Sequence, residues 1–280
     1  MNVRDKLDWR YDFLTQATHF TLAERLSFIT PRLGVGSLRD LLEKRLARTD
    51  EGLPYFAVGD EKVFFLREED GEDEGAAREG ALVVLAEAFG GSSDFFSPPV
   101  EIAAGDVVLD LGGNIGTSAL QFARRAAPEG RVYSFEPIFH APLGRTLEAS
   151  AATNVEVVPL AVGDRVGAVE FAVTEIGIDS RLAGNASGPA TARVPMTTVD
   201  RFVEERGLAQ VDFIKCDIEG AEELAIRGAE KTIERFRPKW TISSYHTDPS
   251  GDAQHPKLVS LLTELGYTVR TVGGHHIYAH

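Results

Sequence analysis

The run VVLDLGGNIG at 107–116 constrains the fold of this chain more than any other stretch. Val107, Val108, Leu109 and Leu111 form the near-continuous apolar pattern of a strand covered on both faces. Gly112, Gly113 and Gly116 follow with the tight turning and close backbone approach that glycine permits. A helix from about Ile115 is expected next, its first-turn N–H groups and dipole lying beside whatever the glycines admit. Further on, RVYSFEP reads as a second strand over 132–135 that ends in Glu136, an acid placed to offer a carboxylate to ribose hydroxyls.

A nicotinamide dinucleotide site is the obvious competitor, and its GxGxxG fingerprint does not fit. With the first glycine on Gly112, Asn114 and Thr117 occupy the places of the second and third, and the second is the one that admits a pyrophosphate. Asp110 at the strand end also repels phosphate and suits a cationic or hydroxyl-bearing ligand. S-adenosylmethionine has an amino group, a sulfonium and a ribose, and no phosphate. DxGxNxG therefore has the character of a methyltransferase first motif.

With 280 residues and 43% apolar content, the chain has room for one large α/β core plus an accessory region. A net charge of −14 and the absence of a basic block argue against a nucleic-acid substrate and for a small-molecule acceptor. Self-association of the chain stays open. The single cysteine, Cys216, cannot form an internal disulfide and points to a reducing compartment. Charges interrupt the apolar residues of MNVRDKLDWRYDFLTQ, so that segment reads as neither signal peptide nor membrane span, and the expected location is cytoplasmic.

Residues 1–100 read as an accessory region of helices plus a β-hairpin, on the acceptor or lid side of a cofactor-binding domain over 101–280. Ser37 and Asp40 resemble a capping box, and Leu38, Leu41, Leu42 and Leu46 then predict about three turns of helix. PYFAVGDEKVFFLRE reads as a hairpin turning at Gly59 and Asp60. The acid-rich run over 67–79 reads as a solvated loop, and 81–89 as a helix stopped by Gly90 and Gly91. Phe95 and Phe96 are candidates for the cofactor mouth.

From residue 105 strand and helix patterns alternate, which predicts a mostly parallel sheet with helices on both faces. Strands are expected at 106–111, 131–135, 155–160, 211–217, 239–245, 267–272 and 275–279. The last two are joined by Gly273 and Gly274, too short for a helix, so the final strand runs antiparallel. LAVGD sets Ala161 and Val162 at the same carboxyl edge as Asp110 and Glu136, where open α/β sheets bind ligands. The runs GAVEFAV and ARVPMTTV, around a small-residue tip, read as a sheet extension over the active site.

VDFIKCDIEGAEELAIRGA gathers a second set of chemical groups. In an extended strand Lys215, Asp217 and Glu219 project to one face and converge at the carboxyl edge. Such carboxylates bind a divalent metal such as Mg2+, hold the methionine ammonium, or act as a general base. Glu222 and Glu223 also read as ordinary helix-start acids. His246, just after the fifth strand, is a candidate general base or metal ligand with Asp217 and Glu219; its alternative is to hydrogen-bond the loop before Asp248 and Pro249. His255, His275, His276 and His280 have weaker claims.

Taken in order, DLGGNIG, FEP at 135–137, NVEVVPLAVGD, VPMTTVD and above all IKCDIEGAE resemble the FkbM family of S-adenosylmethionine-dependent methyltransferases over roughly 100–280. Cys216 and Gly113 stand where Ile, Val or Ala is usual. The resemblance implies a class I methyltransferase (Rossmann-like) fold, a seven-stranded sheet with an antiparallel last strand, and methyl transfer, commonly to a hydroxyl of a sugar or natural product. Cofactor contacts are then expected from Asp110, Gly112, Gly113, Asn114, Gly116, Glu136, Pro137, Ala161, Val162 and Asp217, with catalysis by Asp217, His246 and Lys215. N- or C-methylation, another reaction of the same cofactor, and a non-catalytic cofactor-binding partner are the competing functions.

Overall fold

The computed structural model describes residues 42–67, 72–89, 99–172, 181–182, 191–248, 250–272 and 276–280. Three short strands come first, β1 (Leu46–Arg48), β2 (Pro54–Val58) and β3 (Glu61–Phe64), then helix α1 (Glu74–Phe89). The alternating part follows as β4 (Val107–Leu111), α2 (Thr117–Ala126), β5 (Arg131–Phe135), α3 (His140–Ala149), β6 (Val155–Val158), β7 (Ala161–Val162), β8 (Gly167–Ala172), β9 (Arg181–Leu182) and β10 (Thr191–Thr197). It ends with α4 (Val199–Arg206), β11 (Phe213–Cys216), α5 (Glu222–Arg227), α6 (Glu230–Phe236), β12 (Lys239–Ser243), α7 (His255–Glu264), β13 (Val269–Val272) and β14 (His276–Ala279).

The main sheet has the order β13-β14-β12-β11-β4-β5-β6, parallel throughout except that β14 runs antiparallel to both neighbours. This is the class I methyltransferase sheet expected from the sequence. Period-two alternation assigns its faces. Leu109, Leu111, Ile214, Cys216 and Ile242 point into one buried cluster with residues of α4, α5, α6 and α7. Val108, Val132 and Phe213 point the other way, with Phe122 and Ala126 of α2. Helices therefore cover both faces, and β4 and β11, at the centre, bring their carboxyl ends side by side.

Gly112 makes that approach possible. Its φ is +89°, and a Cβ there would lie 1.9 Å from the Asp217 carbonyl oxygen. Its amide and that of Gly113 both donate to the Phe135 carbonyl at 3.0 Å, so one turn ties β4 to β5 while touching the end of β11.

The hairpin forms as predicted, with Val58 opposite Glu61 across the two-residue turn Gly59–Asp60. Leu46 departs from the expected helix: it lies in β1, which pairs with β2, because the β2 edge offers backbone partners that override a local heptad-like spacing. Leu42 is buried, while Ser37, Leu38, Asp40 and Leu41 lie outside the described residues. The acid-rich run is also corrected: Glu74–Phe89 is helical from within it, with Asp73 accepting from the Gly75 and Ala76 amides at 2.7 and 3.1 Å in the manner of an N-cap. The two strand-like runs after β6 extend no main-sheet edge. They form a separate four-stranded sheet of order β7-β10-β8-β9 whose tip, like Phe95 and Phe96, falls outside the described residues.

This second sheet and the first three strands share a buried cluster. Phe56, Val58, Val63 and Phe65 pack with Ile115 and Phe139, and with Phe171, Val194 and Met196. The β3 end is pinned to α3 by the Phe64 amide donating to Thr146 Oγ1 at 3.0 Å, and buried Glu61 pairs with Arg124 of α2. No described helix is long and apolar enough to cross a membrane.

Gly112→Ala combines a positive φ with a backbone clash, and is expected to cost at least about 3 kcal/mol. Urea denaturation with an unchanged midpoint would contradict this account of the turn.

Candidate active site

A row of polar side chains crosses the sheet one or two residues short of its carboxyl edge. Ser134, Asp110, Lys215 and Thr241 are register neighbours on β5, β4, β11 and β12. All four are buried. Ser134 Oγ donates to Asp110 at 2.7 Å, Ser118 Oγ of α2 donates to the same carboxylate at 3.1 Å, and Lys215 Nζ lies 3.4 Å from it. Lys215 Nζ also donates to the Gly112 carbonyl at 2.5 Å. Burial alone lowers the lysine's pKa, but the charges of Asp110 and Asp217 outweigh it and hold the ammonium firmly charged. Asp110 and Lys215 thus neutralise each other inside the sheet and set the position of the Gly112 turn.

This placement corrects the expected convergence of Lys215, Asp217 and Glu219. The strand stops at Cys216, and Glu219 takes a left-handed φ of +54°, so the alternation ends before it reaches the acids. Lys215 turns toward β4, where it meets Asp110 and the Gly112 carbonyl. Gly113 has a local reason to depart from alanine, since a Cβ there would sit 2.1 Å from Ser134 Oγ.

Glu136 is nearly buried at the end of β5. Its carboxylate accepts from the Asn114 amide at 2.9 Å and from the Ile138 and Phe139 amides at 2.8 and 2.9 Å. Burial raises its pKa against the pull of these donors. One carboxylate therefore joins the glycine turn to the loop that carries Pro137. Gly116 caps α2, which begins at Thr117 and not at Ile115. Ala161 and Val162 form β7 and pair with Met196 and Thr197 of β10, so their backbone serves the second sheet.

Beyond Cys216 lies a second cluster. Glu222 is fully buried and accepts from the amides of Ile218 and Gly220, from Gln254 Nε2 at 2.5 Å, and from His246 Nδ1 at 2.8 Å. It acts as far more than a helix-start acid. It also takes the His246 ring away from the loop at Asp248. The other ring nitrogen, Nε2, faces Glu219 Oε2 at 3.4 Å and Asp217 Oδ1 at 3.8 Å. Burial pulls the His246 pKa down, but its bond to Glu222 and the charges of Glu222, Asp217 and Glu219 lift it to about 9. Beside it the Tyr245 ring, more than half exposed, packs with centroids 4.1 Å apart.

Among the other histidines, His255 Nδ1 pairs with Ser244 Oγ and His276 Nε2 with Thr241 Oγ1, each at 2.7 Å. Sequence reasoning missed Ser134, Ser118 and Gln254. Ser134 carried a readable signal: it stands two residues before Glu136, as Asp110 stands two before Gly112. Gln254 arrives from the start of α7 with no local signature.

The donor chemistry of this edge fits a cationic, phosphate-free cofactor. Glu136, Asp217 and Glu219 are acids at or just beyond strand ends, and Lys215 is turned inward. The residues suited to hold S-adenosylmethionine are the 112–116 backbone and Glu136.

A family model described as the methyltransferase FkbM domain matches residues 110–269. The 2-O-methyltransferase NoeI of Sinorhizobium fredii is 25% identical over 147 residues, covering 47% of this chain and 60% of that protein. The AMB antimetabolite synthetase AmbE of Pseudomonas aeruginosa is 29% identical over 156 residues, covering 41% of this chain and 7% of that protein. The chain thus spans about 60% or less of the length of these curated relatives. A crystal structure of methyltransferase FkbM from Methylobacillus flagellatus has a TM-score of 0.49 at 17% identity, covering 87% of this chain and 58% of that one.

Two outcomes follow from the geometry. Lys215→Met leaves Asp110 buried without its cation and is expected to cost about 3–5 kcal/mol, with Lys215→Met/Asp110→Asn recovering part of the loss. Additive losses in denaturant melts would refute the pair. With chelator present, His246 is expected to titrate near pH 9 by imidazole NMR. Its folded pKa lies above the unfolded value of about 6.5, so its stabilising contribution is fully present below about 6.5 and is lost as pH rises through about 9. A midpoint at or below 6.5 removes the carboxylate cage as the cause.

Proposed function

The chain belongs to the methyltransferase FkbM domain family, and on that premise we propose that it transfers a methyl group from S-adenosylmethionine to a hydroxyl of a sugar or natural-product-type small molecule. The observation that carries this reading is the meeting of two sets of groups at one sheet edge. The Gly112 turn and Glu136 suit the cofactor, and the Asp217–Glu219–His246 cluster suits a hydroxyl acceptor. The similarity to NoeI, a 2-O-methyltransferase, supports oxygen as the acceptor atom.

When bound, the cofactor supplies an electrophilic methyl carbon on a sulfonium. The protein's work is then to align the acceptor and manage one proton. Asp217 and His246 were both candidates for the base. An imidazole that keeps its proton to about pH 9 is a poor acceptor at neutral pH, so in the cation-free protein the role passes to the partly exposed Asp217 carboxylate, with His246 holding it in place. Tyr245 offers a flat exposed ring beside the cluster against which a sugar or aromatic acceptor can lie. The accessory region is read as the acceptor side, because its strands share a buried cluster with Ile115 and Phe139 next to the glycine turn. A cytoplasmic setting fits the lone cysteine, Cys216, buried in β11.

Calorimetry with S-adenosylmethionine and S-adenosylhomocysteine tests the cofactor site. Wild type is expected to bind both in the micromolar range, and Glu136→Gln, which keeps one acceptor oxygen, to bind about 10–100-fold more weakly. Failure of wild type to bind either compound would sink the methyltransferase reading.

A further inference from the structure

Asp217, Glu219 and His246 each offer one ligand atom within 4.8 Å of the other two, and they come from two separate chain segments, the ends of β11 and β12. The separations from Nε2, 3.4 and 3.8 Å, are long for hydrogen bonds. The 3.4 Å separation falls within the spacing of ligand atoms that share an ion, and the 3.8 Å separation lies about 0.2 Å beyond it. Two ligands each about 2.1 Å from a centre stand about 3.0–3.6 Å apart when they subtend about 90–120° there.

The imidazole itself is an independent indication. The His246 side chain is 9% exposed, and Nε2 is buried with no hydrogen-bond partner among the described residues. A buried polar nitrogen left in this state is costly unless something else engages it. Its orientation is imposed from behind. Glu222, fully buried and held by the Ile218 and Gly220 amides and by Gln254, accepts from Nδ1 and directs Nε2 at the two outer carboxylates. A carboxylate on the far nitrogen is the arrangement that fixes metal-ligating histidines. Gly220 lets the loop close over this hub: a Cβ there would meet the Thr247 carbonyl oxygen at 2.4 Å.

We propose that Asp217, Glu219 and His246 bind a divalent cation of the Mn2+ or Mg2+ class, that Glu222 is its positioning residue, and that the cation receives the acceptor's hydroxyl oxygen. Two carboxylates select a hard cation, and the imidazole nitrogen favours Mn2+ over Mg2+. Three protein ligands leave coordination positions for acceptor oxygens, so an acceptor with two neighbouring oxygens binds better than one with a single hydroxyl. The site lies beside exposed Tyr245, where such an acceptor can reach both. Cation binding stands on the geometry alone. The acceptor's place on the cation rests on the methyl-transfer reading.

The test uses the full chain after chelator treatment, without cofactor or acceptor. MnCl2 is titrated by calorimetry and by loss of the free Mn2+ electron paramagnetic resonance signal, with MgCl2 as competitor. Wild type is expected to bind one Mn2+ per chain. Asp217→Asn, Glu219→Gln and His246→Ala should each weaken it at least tenfold. Glu222→Gln should weaken it about 10–100-fold, as loss of a partner behind a ligand does. Glu223→Gln, an acid of the same helix paired with Arg227, should bind as wild type does. No stoichiometric Mn2+ binding by wild type, or equal binding by wild type and Glu219→Gln, overturns the site. Glu219→Gln is partly exposed and should keep its thermal midpoint, which separates loss of the ion from loss of the fold. S-adenosylmethionine binding, measured in parallel on wild type, separates the two readings. Mn2+ binding without cofactor binding removes methyl transfer and leaves the ion site standing, whereas cofactor binding without Mn2+ does the reverse.

Discussion

The buried pair of Asp110 and Lys215 is the interaction on which the site depends. Two opposite charges on adjacent central strands are directly in register, removed from water and bonded to almost nothing that is not itself fixed. Ion pairs of this kind add little net stability compared with apolar packing, but they are intolerant of displacement. A one-residue slip of β4 against β11 would turn the slipped strand's charge onto the apolar face occupied by Leu109 and Ile214 and leave its partner buried alone. The pair therefore enforces the register that brings the Gly112 turn against Asp217. Ser134, Ser118 and the Gly112 carbonyl complete the hydrogen bonding that makes the burial tolerable.

Two carboxylates organise the loops beyond that register, and they do so differently. Glu136 gathers backbone amides from both sides of the cofactor edge and leaves its surroundings acidic. Glu222 gathers amides, Gln254 and His246, and so converts a loop after β12 into a rigid part of the end of β11. The result is a division of labour along one edge. Under the proposed function, residues near β4 and β5 would meet the sulfonium-bearing cofactor, and those near β11 and β12 the atom that receives the methyl group.

Much of the main sheet was legible because parallel strands covered on both faces leave uninterrupted apolar runs, and because glycine and acid at strand ends are punctuation that the backbone demands. All seven predicted strands are present, and the hairpin at Gly59 and Asp60 forms as expected. The failures have physical causes. Leu46 was taken from its helical spacing by an available strand edge at β2. The acid-rich run became a helix from Glu74 because Asp73 caps it and a buried face at Ala81, Leu82 and Leu85 holds it. Lys215 was misjudged because alternation along a strand gives the face of a side chain but not its partner, and the partner was on the next strand.

Local order along the chain determined which residues stand at strand ends: Asp110 and the glycines after β4, Glu136 after β5, Asp217 and Glu219 after β11, and His246 after β12. These positions follow from periodicity and turn chemistry, which are short-range. Tertiary structure alone decided which of them meet. Asp110 was paired with Lys215 across 105 residues, and Glu222 was buried and drawn onto the far side of His246, because those contacts depend on strand order and on how closely a glycine lets two chain ends approach.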